Sequence, residues 1–533
     1  MQTGEQNQAL SSALKGKARA RFLGLTFDDV VRYFFAGNAT VAMVVLALIL
    51  VFLLKEGAGF FGQNRTNIQV YRKAGLEYVD LMRAPLDEFS SLTRSLNDVR
   101  LKRFRSLLAQ GKDVEGANEA LKAYDDFANG FGAAASEARG VVSDLTEVAT
   151  AVKTRAQVSA DREEERLMLL NAGKSEQAAA LKLDVVDYAK SVKVLTDMAP
   201  AWKAAAADMQ EKLRGSVALA RGAEWFQGDK DLVKVLEKTE RFVGELPKVE
   251  SKMGAWRWDE PVPLSRSFAA FIFGREWLTA SFWQDWYGIL PLVSGSLLVA
   301  LIAMVIAVPL SIAAAIYISE VASPFERAVI KPYIEFISAI PSVVLGFFGI
   351  AVLGTALRSL SQLEFFSWMP GFPMSERLNA LTAGALLAFT SIPTIFSLAE
   401  DALTNVPKHF KEASFALGAT RFQTLVRVLI PASLSGIISA VLLGFGRVIG
   451  ETMVVLLCAG NRIAIPNFTQ GIGAFFEPVH TMTGIIAQEM GEVAQGSIHY
   501  RALFMVGIIL FLVSLVINFV AQRVVRRYRI SIG

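Results

Sequence analysis

The sequence predicts an all-α integral membrane protein with six spanning helices and a helical extracytoplasmic domain inserted between the first two. Three observations carry this reading. Six stretches meet the length of about 20 mostly apolar residues that a helix needs to cross a bilayer. The segment 55–286 shifts to a water-facing, helix-favouring mixture of Ala, Lys, Glu, Asp, Leu and Val. Finally, 53% of the 533 residues are hydrophobic while 20% are charged, so the chain is too apolar for an ordinary soluble protein and too charged to lie in lipid throughout.

The elements follow in order. Residues 1–32 carry Lys15, Lys17, Arg19, Arg21 and Arg32 and read as a cytoplasmic segment. The first span, Tyr33 to Leu54 (33–54), follows this basic stretch as a secretory signal would. Its apolar core runs to about twenty residues without a small-residue cleavage site, so it is expected to stay as an anchor.

Within 55–286, Val79, Met82, Leu86, Phe89, Leu92, Leu96 and Val99 recur at three- and four-residue steps, the stripe of an amphipathic helix that Pro85 either kinks or starts. Further helices are expected over Val114 to Asn171, Ser175 to Arg221 and Asp231 to Gly244, with breaks near Gly111, Gly173 and Gly228. Such stripes bury against one another, which gives a bundle or a long hairpin.

The core over 287–520 holds the other spans: Tyr287 to Ile318, Val329 to Leu353, Leu378 to Ala399, Leu434 to Ala459 and Ala502 to Val520, with Pro309 in the second and Pro393 in the fourth. A basic tail, 521–533, carries Arg523, Arg526, Arg527 and Arg529. Positive residues resist translocation, so both termini are expected in the cytoplasm, and an even number of spans agrees. The loop 401–431 then faces the cytoplasm and 55–286 the outside.

Several chemistries are excluded. A net charge of +4 spread along the chain offers no nucleic-acid surface. One cysteine, Cys458, allows neither an internal disulfide nor a cysteine metal cluster, and His409, His480 and His499 lack zinc-ligand spacing, so no metal site is expected. A phosphate-cradling loop fails as well. Gly173-Lys174-Ser175 has Met168 where the first glycine should stand. No cofactor is expected to bind this chain directly.

The loop 401–431 carries the functional inference. Pro407 suits the first turn of a short helix, Gly418 permits the left-handed turn that ends it, Thr420 and Gln423 form a capping box for a second helix, and Pro431 is expected to stop that one. This loop resembles the EAA loop of ABC importer permeases, Glu-Ala-Ala, three residues, Gly, nine residues and Ile-x-Leu-Pro. Glu412, Ala413, Ser414, Gly418, Val428, Ile430 and Pro431 match at that spacing, with Ser414 in place of the second Ala. The resemblance implies a coupling helix gripped by a separate ATPase, with Ala419 and Thr420 completing the contact set. It also implies the type I, MetI-like permease fold, with ATP and magnesium used by the partner.

The cargo is narrowed by the fifth span, where Arg447 and Glu451 are four residues apart and share a face if the helix is continuous. Ionisable groups at that depth cost on the order of 2.5 to 3.5 kcal/mol each, so they are functional candidates, although a structural ion pair gives the same pattern. The run Leu443 to Val455, with Thr452, closing at Gly460-Asn461, looks like the fifth-helix signature of the phosphate-specific permease family, in its PstC-type subunit. The runs Ile306 to Leu310, Ala315 to Glu320 and Ala339 to Gly346 are similar to others in that family, and the likeness covers about Trp283 to Arg527.

It implies a substrate path at Arg447, Glu451 and Thr452. Its implied partners are a second, PstA-like permease, a cytoplasmic ABC ATPase dimer, an extracytoplasmic phosphate-binding protein and the lipid of a bacterial inner membrane. Typical members have a much shorter first external loop, so the likeness assigns 55–286 no role. Three alternatives stay open. They are an importer for sulfate or molybdate, a receptor sensing through the external helices, and a secondary transporter, which has no need of a docking loop.

Overall fold

The computed structural model describes residues 27–226, 229–279, 284–366, 368–369 and 371–528. The expectations placed on Lys15, Lys17, Arg19, Arg21, Gly228, Trp283 and Arg529 lie outside the described residues. The chain divides into two compact units, Phe61–Ile289 and the chain on either side of it.

After α1 (Phe27–Ala58) come α2 (Phe60–Lys73), α3 (Leu76–Ala109), α4 (Val114–Ala133), α5 (Ser136–Asn171), α6 (Ser175–Ala180), α7 (Tyr188–Asp197), α8 (Ala199–Gly222), α9 (Lys230–Ala255) and α10 (Leu264–Ile272). A short antiparallel pair, β1 (Trp277–Leu278) and β2 (Trp286–Tyr287), ends the unit.

The predicted stripe of α3 is buried along its length, and Pro85 sits inside the helix instead of starting it. α4, α5 and α9 pack on α3, and α8 packs on α5 and α9, so the arrangement is a bundle. Phe89, Phe131, Tyr124, Trp202 and Phe242 fill its centre, with Phe89 stacked on Phe131 at 5.3 Å between ring centroids. The buried Tyr124 hydroxyl donates to the Leu96 carbonyl at 2.7 Å, which removes the penalty of burying it.

The expected helix Val114 to Asn171 is broken at Ala134–Ala135. Both pieces lie on α3: Arg100 pairs with Asp125 of α4, and Arg83 donates to Thr146 of α5. A single straight helix of 3.6 residues per turn drifts off its partner over that length, and the break resets the stripe. Similarly, Ser175 to Arg221 is three helices. Asp187 caps α7, and Pro200, in the first turn of α8, sets the break at Met198. The last helix runs on to Ala255, past its expected end at Gly244.

The second unit continues through α11 (Leu290–Ile316), α12 (Pro324–Ile337), α13 (Ser342–Phe348), α14 (Gly354–Ser361), α15 (Ala380–Thr404), α16 (Lys408–Ala416), α17 (Arg421–Thr424), α18 (Ile430–Gly450), α19 (Met453–Cys458), α20 (Met482–Glu489) and α21 (Ile498–Tyr528). Wide i→i+5 turns at Tyr317–Val321, Gly349–Leu353 and Leu425–Leu429 link neighbouring helices. Among the described residues six helical stretches are long and apolar enough to cross a membrane. α11 packs on α15, α15 on α18, α18 on α21 and α21 on α1. The α15–α18 contact is close: a Cβ on Gly444 would stand 2.4 Å from Ile395 Cγ1, so only glycine lets the backbones approach this far.

Three expected spans are corrected. The second begins at Leu290, because Tyr287 belongs to β2. The third does not run from Val329 to Leu353. Pro341 disfavours helix at Ile340, so α12 ends at Ile337 and the span is Ser342–Ser361. The fifth, Leu434 to Ala459, is discontinuous, with α18 ending at Gly450 and α19 starting at Met453.

Replacing Phe89 with Ala should destabilise the bundle by about 3–5 kcal/mol through lost burial and a residual cavity. Hydrogen exchange on the full chain should accelerate across α3 and α9. Unchanged protection there would contradict this account of the core.

Candidate functional site

The loop after α15 builds a helical hairpin from local rules. Pro407 takes an extended conformation (φ −58°, ψ 135°) one position ahead of α16, at the cap instead of in the expected first turn. Gly418 has φ +81°, the left-handed region that reverses the chain between α16 and α17. Thr420 and Gln423 then form the predicted capping box in both directions, at 3.2 and 2.9 Å.

The two arms are closed by a buried hydroxyl pair, Ser414 Oγ and Thr424 Oγ1, 2.8 Å apart. Ser414 is the position where the loop pattern has its second alanine, and its hydroxyl has this use. Glu412, Ala413, Gly418 and Thr420 are exposed and Ala419 is half-buried. At the apex Leu417 is 90% and Phe422 73% exposed, so two large apolar side chains stand in solvent. Such groups gain free energy when they are covered.

Pro431 does not stop the second helix. The wide turn Leu425–Leu429 lies just ahead of it, and Ile430 and Pro431 open α18 without a break. A proline in a first turn removes an N–H that has little use there, and the wide turn makes room for its ring. The hairpin is therefore continuous with the fifth span.

At the other end of α18 stands Arg447. Its Nη1 donates to Thr394 Oγ1 of α15 at 2.7 Å, and its side chain is otherwise exposed. Thr394 lies about 21 Å from the Ala380 end of α15 and about 15 Å from its Thr404 end at 1.5 Å per residue, so the guanidinium sits at membrane depth. Of its five N–H donors this contact uses one.

Glu451 does not share a helical face with Arg447. The helix ends at Gly450, and Glu451 is extended (φ −71°, ψ 134°). The ion pairs among the described residues do not include the two together. The Glu451 carbonyl, freed by the break, accepts from Thr483 Oγ1 at 2.9 Å, and Thr452 Oγ1 donates to Gly450 O at 3.4 Å. Arg447, Glu451 and Thr452 thus flank the end of α18 at Gly450.

Sequence reasoning missed several partners. Thr394 is an ordinary threonine after a proline in an apolar run and carries no signal by itself. Lys411 Nζ donates to Glu320 Oε1 at 2.6 Å and Lys331 Nζ to Glu400 Oε2 at 2.7 Å, pairs that join residues 91 and 69 positions apart. The hydrogen bond to Glu400 raises the Lys331 ammonium above its ordinary range.

Residues 307–530 match the sequence profile described as binding-protein-dependent transport system inner membrane component. The probable ABC transporter permease protein YqgH of Bacillus subtilis is 35% identical over 258 residues, covering 46% of this chain and 78% of that protein. The phosphate transport system permease protein PstC of Haemophilus influenzae is 32% identical over 276 residues, 49% of this chain and 84% of that protein. A probable PstC of Methanocaldococcus jannaschii is 32% identical over 251 residues, 46% and 78%. An inward-facing structure of the MetNI methionine ABC transporter aligns with a TM-score of 0.33 at 18% identity, over 46% of this chain and 95% of that one.

Thr424→Val should leave the buried Ser414 hydroxyl without its partner, at a cost of about 1–3 kcal/mol. Limited trypsin digestion should then cut faster at Lys408, Lys411 and Arg421. Cleavage at the unaltered rate would show that the pair does not hold the hairpin closed.

Proposed function

The chain belongs to the family of binding-protein-dependent transport permeases that includes PstC, and from that premise we propose that it forms the translocation path for inorganic phosphate. It is an integral membrane permease subunit of an ABC importer. The observation that carries the cargo assignment is Arg447, a guanidinium at membrane depth beside a helix break, held by one hydroxyl with donors to spare.

A planar fork of N–H groups matches two oxygens of a tetrahedral oxyanion, and the low dielectric strengthens the pairing. Glu451, half-buried at the break, supplies an acceptor for a proton-bearing oxygen of hydrogen phosphate. Thr452 offers a hydroxyl beside it.

The partners in this reading are a second, PstA-like permease, a cytoplasmic ABC ATPase dimer that uses ATP and magnesium, and an extracytoplasmic phosphate-binding protein. The membrane is the bacterial inner membrane. Both termini are placed in the cytoplasm in this reading, which Arg32 before the first span and Arg523 and Arg526 after the last support. ATP binding closes the ATPase pair and pulls the loop around Glu412 and Gly418. Because α18 continues from that loop without a break, the pull moves Arg447, and the path opens outward to receive the anion. Hydrolysis returns it inward.

Two measurements test this reading. In cells lacking their own high-affinity phosphate system and given this chain with its partner subunits, phosphate uptake should be saturable. Arg447→Gln at equal membrane level should lower it by at least about tenfold, as expected for losing a charge-assisted bond of 1.5–3 kcal/mol. Uptake of sulfate or molybdate in place of phosphate would discard the cargo. Gly418→Val forces a β-branched residue to φ +81° and should raise ATP hydrolysed per phosphate moved without loss of membrane insertion. Normal coupling in that variant would contradict the use made of the turn.

A further inference from the structure

α16 continues by chain into α15 and α18, yet it also touches a span to which it is not joined in sequence. Lys411, in the middle of α16, places its ammonium 2.6 Å from Glu320 Oε1, with side chains only 29% and 16% exposed. Glu320 stands in the wide turn Tyr317–Val321 that closes the second span. Among the described residues, the side-chain hydrogen bond joining α16 to that span is this pair.

The end of the second span is itself braced. Arg327, from α12, donates Nε to Ile318 O and Nη2 to Ser319 O, both at 3.0 Å, which satisfies carbonyls that the end of the turn leaves open. Tyr317 Oη donates to Glu326 Oε1 at 3.2 Å, and Glu326 also completes a capping box with Ser323. α12 is held to the fourth span by Lys331 and Glu400, the latter 7% exposed. Glu320 thus stands at a corner where α11, α12 and α15 are bonded together, and among the described residues Lys411 is the group of α16 whose side chain bonds to it.

We propose that the Lys411–Glu320 ion pair is a transmission joint, through which displacement of the coupling helix reaches the second span as well as the fifth. The proposal rests on the coupling role assigned above to the loop 401–431. Both are positioning residues, since each acts through the helix that carries it. The bond is suited to the task. It is short, charge-assisted and partly shielded from water, which strengthens it and gives it a defined direction.

The test uses the assembled complex and a reporter in the second span that does not depend on cargo. Val321 ends the second span and is 65% exposed, and the native Cys458 is buried, so in a Val321→Cys background a maleimide reports position 321, where water can ionise the thiol. A non-hydrolysable ATP analogue should change the labelling rate. Lys411→Met or Glu320→Gln should shrink that change by about fivefold, the size expected from breaking one contacting pair. The ATPase should still co-purify in stoichiometric amount, and the exchanged pair, Lys411→Glu with Glu320→Lys, should restore the response.

An undiminished response in the single variants would overturn the joint while leaving the coupling loop in place. So would failure of the exchanged pair, or loss of the ATPase from the single variants, which would make the pair part of the docking surface. No response to the analogue with Lys411 and Glu320 intact would remove the coupling role and the joint together. A wrong cargo would change none of these readings.

Discussion

A bilayer offers no water to an unpaired backbone group, and each such group left in hydrocarbon costs several kcal/mol. At the ends of the second and fifth spans, neighbouring side chains supply bonds to carbonyls that lie outside regular helix. The break after Gly450 frees the Glu451 carbonyl, and Thr483 donates to it. The wide turn at the end of the second span exposes the carbonyls of Ile318 and Ser319, and both are taken by Arg327. Separately, Ser311 Oγ donates to the Ile392 carbonyl at 3.2 Å, a bond between the second span and the fourth. These bonds tie the second span to α12 and to the fourth span, and the end of the fifth span to α20.

That dependence explains what the sequence made legible. Amphipathic helices of the bundle declare themselves by period, so the stripe from Val79 to Val99 is found in its place. The hairpin at 408–424 is also readable, because Gly418 and the Thr420–Gln423 box act within a few residues of themselves. The break at Glu451–Thr452 is not. Apolar residues run on both sides of it, no proline marks it, and the group that satisfies it lies 32 positions later. Reading Arg447 and Glu451 as one helical face follows from the same blind spot.

The third span was misplaced for a related reason. Hydropathy averages across Pro341 and merges α12 with the span that follows it, although α12 carries Arg327, Lys331 and Glu335 and buries no residue. It bonds to spans two and four through Arg327 and Lys331, and only the folded chain shows that. The Ser414–Thr424 closure is intermediate. Both residues sit in a recognisable motif, but their contact depends on the angle of the Gly418 turn.

The central claim is that this chain is a path along which ATP, spent by a partner, drives phosphate inward. It is tested most directly by reconstituting the permease with its partner permease and ATPase in proteoliposomes and following radiolabelled phosphate. With the phosphate-binding protein on its own side and ATP on the other, phosphate should accumulate above its equilibrium concentration, and accumulation should stop when ATP or the binding protein is withheld. Phosphate that equilibrates without ATP, or ATP-driven accumulation of a different anion only, would contradict the account.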